Sequence, residues 1–263
     1  VKSDIIVARI SAYGQNVSHS LKQVPAHDMN SLAHAGVLGL QGSHELLQRQ
    51  TMSPLPVQLA DILCAYTCAL QIVAAIHEQH TSNGSYSGCV IDVSMFDASV
   101  SSLILPYSIL FGTHGKQRVS GHDVLSGTVP CYDIYLCKDH TWLTVACLEP
   151  HFWTKFLKLI EFPLEHNNVK SSDGEQLMFL RGQPKEQVKG QIEQILQQKT
   201  AAEWEQFFMA HHLPVTRVRQ PEELLSDPLI SLRNRLGEYQ VMKPALDYTS
   251  FLSNRQTTLH SKL

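Results

Sequence analysis

Positive charge is not in excess in this chain. Its 21 Lys and Arg stand against 24 Asp and Glu, a formal net charge of −3. No basic field points to a nucleic acid or to an anionic membrane surface, although small acidic ligands remain open through local Lys and Arg. No C-x-x-C pair occurs either. The six cysteines (Cys64, Cys68, Cys89, Cys131, Cys137, Cys147) are scattered through apolar or strand-like stretches, which excludes a zinc ribbon or thioredoxin-type motif and reads as a reduced, cytosolic protein. No apolar run is expected to reach membrane-spanning length, and the start has no signal-peptide pattern. The G-x-S-x-G elbow, the P-loop and the dinucleotide glycine fingerprint are missing as well; Gly84 to Gly88 has its serines at the wrong positions. Fourteen histidines supply no convincing metal-ligand set. His77 and His80 flank Glu78 without forming H-E-x-x-H and read as solvated residues at a helix end, and His211-His212 reads as a turn.

What is present is an ordinary globular composition. Of 263 residues, 43% are apolar and 17% charged, enough for a sizeable core in one large domain or two smaller ones. Residues 4–11, rich in Ile and Val, predict a strand buried on both faces. Asp28 or Asn30 can cap a short helix that Gly36 ends. Pro56 precedes a long helical pattern whose expected inner face is Leu59, Ile62, Leu63, Tyr66, Leu70, Val73 and Ile76. Asp61 falls in its first turn, where unpaired N–H groups and the helix dipole favour a carboxylate. Cys89 to Val93 reads as a strand, and Met95 to Leu110 as a helix. The alternation suggests an α/β layer with a mainly parallel sheet.

After a glycine-rich linker, Tyr132–Leu136 and Trp142–Cys147 predict a hairpin. Helices follow at 150–160 and 185–198. Thr200 and Glu203 form a capping box ahead of Trp204, Phe207 and Phe208. Pro214 to Val218 reads as a strand, Pro221 starts a helix that stops before Asp227-Pro228, and the tail from Leu236 returns to strands and loops.

Two His-Asp pairs, His27-Asp28 and His122-Asp123, are candidates for acid–base chemistry near neutral pH. Local sequence does not rank them. A wider pattern does. Ala26-His27-Asp28-Met29-Asn30, Leu32-Ala33 and Gly36-Val37-Leu38 resemble the G-H-D-I-N-Y-L-A-L-S-G-V-L stretch of the α-methylacyl-CoA racemases, within the family III CoA-transferases (the CaiB/BaiF group). Leu59-Ala60-Asp61, Gly88 to Asp97, Leu125 to Tyr132, Cys147 to Trp153, and Pro214-Val-Thr with Pro221-Glu-Glu-Leu resemble further family segments in the same order.

That resemblance implies a site. The acid/base pair falls on His27 and Asp61, with Glu149 as supporting carboxylate, and Ala26, Asp28, Asn30 and Ala60 are the implied substrate-binding positions. It implies no metal and no cofactor beyond the CoA carried by the substrate. The thioester enolate is expected to be stabilised by backbone N–H groups near the start of the Asp61 helix. The chain departs from the family where Ala26 replaces a glycine, Ile62-Leu63-Cys64-Ala65-Tyr66 replaces a glycine-rich run, and Ser126 and Thr128 alter a loop.

The implied fold is α/β: a larger Rossmann-like domain, expected to be incomplete at its N-terminus, and a smaller α/β domain. The expected division is 1–110 for the first, 111–127 for a linker, 128–220 for the second, and 221–263 for a segment returning to the larger domain. The implied activity is interconversion of (R)- and (S)-2-methylacyl-CoA by a cytoplasmic homodimer acting on an acyl-CoA, with no nucleic-acid or membrane partner. The alternatives are a family III CoA-transferase with Asp61 as nucleophile, or a truncated inactive member.

Overall fold

The computed structural model describes residues 4–41, 53–82, 87–115, 123–164 and 174–232. Ile6–Ser11 (β1) is extended because β-branched side chains suit a pleated, partly buried surface. It pairs in parallel with Cys89–Ser94 (β2), Ile6 opposite Cys89 and Ser11 opposite Ser94. Parallel strands need a crossover, and helices Asp28–His34 (α1) and Leu59–Thr81 (α2) supply it. Gly88 must be glycine for β2 to start so close to its partner, since a Cβ there would run into the backbone of Ile5.

This sheet is covered on one face, not two. In β1, Ile10 is 58% exposed, and in β2, Ile91 and Val93 are buried while Val90 is 59% exposed. The expectation of a strand buried on both faces is therefore corrected. The inner face of α2 is corrected too. Leu70 is 71% and Val73 62% exposed, and Ile62, Tyr66 and Ile76 are exposed with them. The residues packed against the sheet are Cys64, Cys68 and Ala75, with Leu63 and Ile72 half-buried beside them. Small side chains let a helix lie close to a sheet, and their spacing is as regular as that of the larger residues. Periodicity alone did not choose between the two stripes. With 23 residues α2 is also long and apolar enough, by length and composition, to cross a membrane, contrary to the reading that no run reaches that length. Here it packs on β1 and β2 as a helix of an α/β layer.

The pattern over Met95 to Leu110 is two helices, Met95–Ser101 (α3) and Ile104–Gly112 (α4), bent by 60°. Pro106 explains the break. It has no N–H for the carbonyl of Ser102, and its ring would clash with that carbonyl in a continuous helix.

A second core is built entirely from residues after Asp123. Tyr132–Leu136 (β3), Trp142–Ala146 (β4) and Val215–Arg217 (β5) form an antiparallel sheet in that order. Its inner face presents Tyr135, Leu143, Val145 and Val215. Three helices, Pro150–Leu159 (α5), Gly182–Leu196 (α6) and Ala201–Ala210 (α7), cover it with Trp153, Phe156, Ile192, Leu196, Trp204 and Phe208. The buried indoles donate to carbonyls, Trp153 to Gly174 at 3.0 Å and Trp204 to Leu196 at 2.9 Å, which removes the cost of burying their N–H groups. The Thr200–Glu203 capping box forms, with Thr200 N–H donating to Glu203 at 2.8 Å.

Residues 221–226 form a 3-10 helix, and Pro228–Leu232 (α8) follows. Glu223 and Asp227 pair with Arg217 and Arg219, so the stretch from 221 to 227 is tied to the second core. The expected return of the tail from Leu236 lies outside the described residues.

Burial pushes the Cys131 thiol up to about 11 and those of Cys137 and Cys147 up to about 12. Burial also raises Tyr135 well above the ordinary phenol range. Each group holds its proton more tightly folded than unfolded. Its contribution to stability is complete below the unfolded value, 9.0 for a thiol, and is lost as pH rises toward the folded value. The melting temperature of this core should be flat from about pH 7 to 8.5 and fall steadily between about pH 9 and 11. Circular dichroism melts across that range check it; an unchanged Tm at about pH 11 would count against it.

Candidate active site

His27 is the residue before α1. Its N–H donates to Asn30 Oδ1 at 3.1 Å, and its carbonyl accepts from Ser31 N–H at 3.1 Å, so the side chain of Asn30 and the first helical turn together hold the His27 backbone. Asn30 therefore serves α1, and Asp28, the other residue expected to cap α1, does something else. Asp28 Oδ1 accepts the N–H groups of Ala60 at 2.6 Å and Asp61 at 3.2 Å. A carboxylate on the first residue of α1 thus caps the start of α2, where orphan N–H groups and the dipole both favour negative charge.

The consequence is positional. His27 precedes the bridging residue, and Asp61 supplies one of the two bridged N–H groups. Both side chains are exposed at this one junction. Ala60 is fully buried against Leu32 and Leu38, and Ala26 is half-buried. The ring of His34, at the far end of α1, sits between Tyr13 at 5.4 Å and Phe96 at 5.3 Å. It locks α1 to the turn after β1 and to α3.

The bridge overturns one expectation. At the start of α2, Leu59 N–H donates to Val57 O, Ala60 and Asp61 N–H to Asp28, and Ile62 N–H to Gln58 O. All four are engaged, so none is available to an enolate oxygen. Asp28 Oδ1 is likewise engaged by the protein backbone.

Glu149 belongs to the second core. It precedes α5, with Pro150 at the first helical position. Its carbonyl accepts Phe152 and Trp153 N–H, its side chain is exposed, and its charge adds to the elevation of Cys147. Among the described residues no hydrogen bond or ion pair joins its carboxylate to His27 or Asp61. An open groove of about 650 Å³ runs beside it, lined by Pro150, His151, Thr154, Lys155, Lys158 and Glu175. His122, the rival histidine, lies outside the described residues. The cross-element role of Asp28 carries no local signature, since its partners are 32 and 33 residues away.

Two α/β units of this kind are found together in solved structures of CaiB/BaiF proteins. The chain is similar to a CAIB/BAIF family protein from Brucella suis, with a TM-score of 0.69 at 15% identity over 89% of this chain and 57% of that one. It is similar to a hypothetical protein from Mycobacterium tuberculosis with a TM-score of 0.69 at 22% identity, covering 91% and 60%. These likenesses show the fold. The model of "CoA-transferase family III" matches residues 1–260, and the chain belongs to that family. It is similar to the alpha-methylacyl-CoA racemase of Mus musculus, 31% identical over 228 residues, and to that of Homo sapiens, 30% identical over 224. Each match covers 84% of this chain and 53% of the relative, so the chain spans about half the length of the curated relatives it matches.

Replacing Asp28 by Ala strips two N–H groups of their acceptor and should cost about 1–3 kcal/mol. Asp28→Asn keeps an acceptor oxygen and should recover most of that loss. Urea denaturation of the three proteins checks it, and an Ala variant as stable as the parent would contradict the bridge.

Proposed function

We propose that this chain carries the acid–base centre of a racemase for 2-methyl-branched acyl-CoA thioesters, with His27 and Asp61 as the pair. The observation that carries this reading is the Asp28 bridge, which ties the helix that follows His27 to the helix start that bears Asp61, both residues being exposed. Membership of a family that includes named racemases supports it. The hydrogen on the carbon next to a thioester is acidic because its removal gives an enolate. One side chain takes that proton as the other, already protonated, returns one to the opposite face; in the reverse direction the roles exchange. Atoms and charge balance without any redox step, so CoA enters as part of the substrate and no separate cofactor is invoked.

The α2 N–H groups being taken, the donors left for the enolate oxygen at this junction are the N–H groups of Asp28 and Met29 at the start of α1. Glu149 is assigned the supporting role of a carboxylate brought from the second unit. Ile62 and Tyr66, exposed on α2 beyond Asp61, would narrow the surface along which the thioester arm runs. A cytoplasmic homodimer remains part of this proposal.

The test is solvent exchange. A 2-methylacyl-CoA incubated with the protein in D2O should gain deuterium at its α-carbon, followed by mass spectrometry. Asp61→Asn should lower that rate by about 10²-fold or more, because an amide is no base. Transfer of CoA to free carboxylic acids should stay at background. Fast transfer with a covalent adduct trapped on Asp61 would establish the transferase reading instead, and neither reaction in an intact protein would mark an inactive member.

A further inference from the structure

Only two charged residues are buried among those described, Lys185 and Glu205, each 8% exposed. Each grips one of the two passages by which the chain enters and leaves the second core. On the entry side, Lys185 Nζ donates to Gly127 O at 3.0 Å and pairs with Asp133 at 2.7 Å. Gly127 closes a turn that Asp123 organises. Asp123 Oδ1 accepts Leu125 N–H at 3.1 Å, and its carbonyl accepts the hydroxyls of Ser126 and Thr128, each at 2.7 Å. Arg181 Nη1 adds a bond to Thr128 Oγ1 at 3.1 Å, and Lys189 a second cation on Asp133 at 3.2 Å. Both lysines and Arg181 lie on or just before α6, which holds the incoming chain against β3.

On the exit side, Glu205 on α7 takes Arg219 with both oxygens, at 3.1 and 3.0 Å. It also accepts Arg217 N–H at 3.2 Å. Arg217 in turn pairs with Glu223 at 2.6 Å, and Arg219 reaches Asp227 at 3.6 Å. The outgoing chain is held from Arg217 through Asp227.

Buried ion pairs are an inefficient way to stabilise a core, because desolvation consumes much of the attraction and apolar side chains of similar size do as well or better. What such pairs provide is a defined geometry. We propose that Lys185 and Glu205 are positioning residues that fix both passages of the second unit, so that Glu149 is presented at a set place to the centre on the first. This rests on the racemase reading for its catalytic consequence, though not for the structural one.

The paired variant Lys185→Met/Asp133→Asn removes both charges of the entry-side ion pair and separates position from stability. Its Tm should return to within about 5 °C of the parent, although Lys185→Met alone leaves a buried carboxylate poorly paired. Amide hydrogen exchange in residues 124–129 should nonetheless quicken about tenfold in the paired variant. kcat for α-proton exchange should fall about tenfold or more with KM within about twofold of the parent. Recovery of kcat and of protection together with Tm would show a merely structural pair and overturn the proposal. If the parent exchanges no α-proton, the racemase reading fails by itself; protection of 124–129 still decides the clamp, and unchanged protection sinks it. Should the entry variants fail to fold, Arg219→Lys keeps the charge and loses the two-pronged contact. It should speed exchange about tenfold in residues 219–223 of an otherwise native protein, and native protection there would overturn the proposal equally.

Discussion

The carboxylate of Asp28 is where the first unit is tied together. It lies at the start of one helix and binds the free N–H groups at the start of another, so the positive ends of two helix dipoles meet on one negative group. Two exposed groups inherit their places from that contact, His27 from the short helix and Asp61 from the long one. A helix of seven residues such as α1 has little stability alone. Its bridge to a helix of 23 residues and the ring contacts of His34 give it a fixed attitude. An acid–base pair needs such rigidity, because proton transfer depends steeply on distance and angle.

The two units reach order by different means. The second has a dense aromatic core, with Trp153, Phe156, Trp204 and Phe208 stacked or tilted on one another, and its few buried charges sit at its rim, on the passages to the rest of the chain. The first has small buried clusters, a two-stranded sheet and an exposed apolar stripe on α2. Its stability leans on polar contacts at element ends: the Asp28 bridge, the Asp92 carboxylate accepting Gln15 N–H at 2.7 Å, and Ser94 capping α3 through Asp97 N–H at 2.9 Å.

The backbone hydrogen bonds at the start of α2 limit where negative charge can be met at this junction. An uncapped helix start beside a carboxylate would suit an oxyanion. Here the same N–H groups are consumed in holding the carboxylate-bearing helix in place. The donors left over belong to the other helix, beside the histidine.

Most elements were legible in the sequence, because they arise from interactions within a few residues. The Thr200–Glu203 box, the β3–β4 hairpin, Pro150 opening α5 and Asp61 in the first turn of α2 all follow from local spacing, and the structure has each of them. The break before Pro106 was legible in principle, since a proline constrains the turn before it. The face that α2 turns inward was not. Two regular stripes run along that helix, and only the sheet decides that Cys64, Cys68 and Ala75 approach it while Leu70 and Val73 stay out. The partners of Asp28, Lys185 and Glu205 lay equally out of reach. Asp28 binds across 32 residues and Lys185 reaches back 58, to Gly127, while Arg219 meets Glu205 only after the chain has turned through β5. Local sequence sets which groups can bond, and tertiary packing chooses the partners, because a charge leaves water only where the fold has already brought its counterpart.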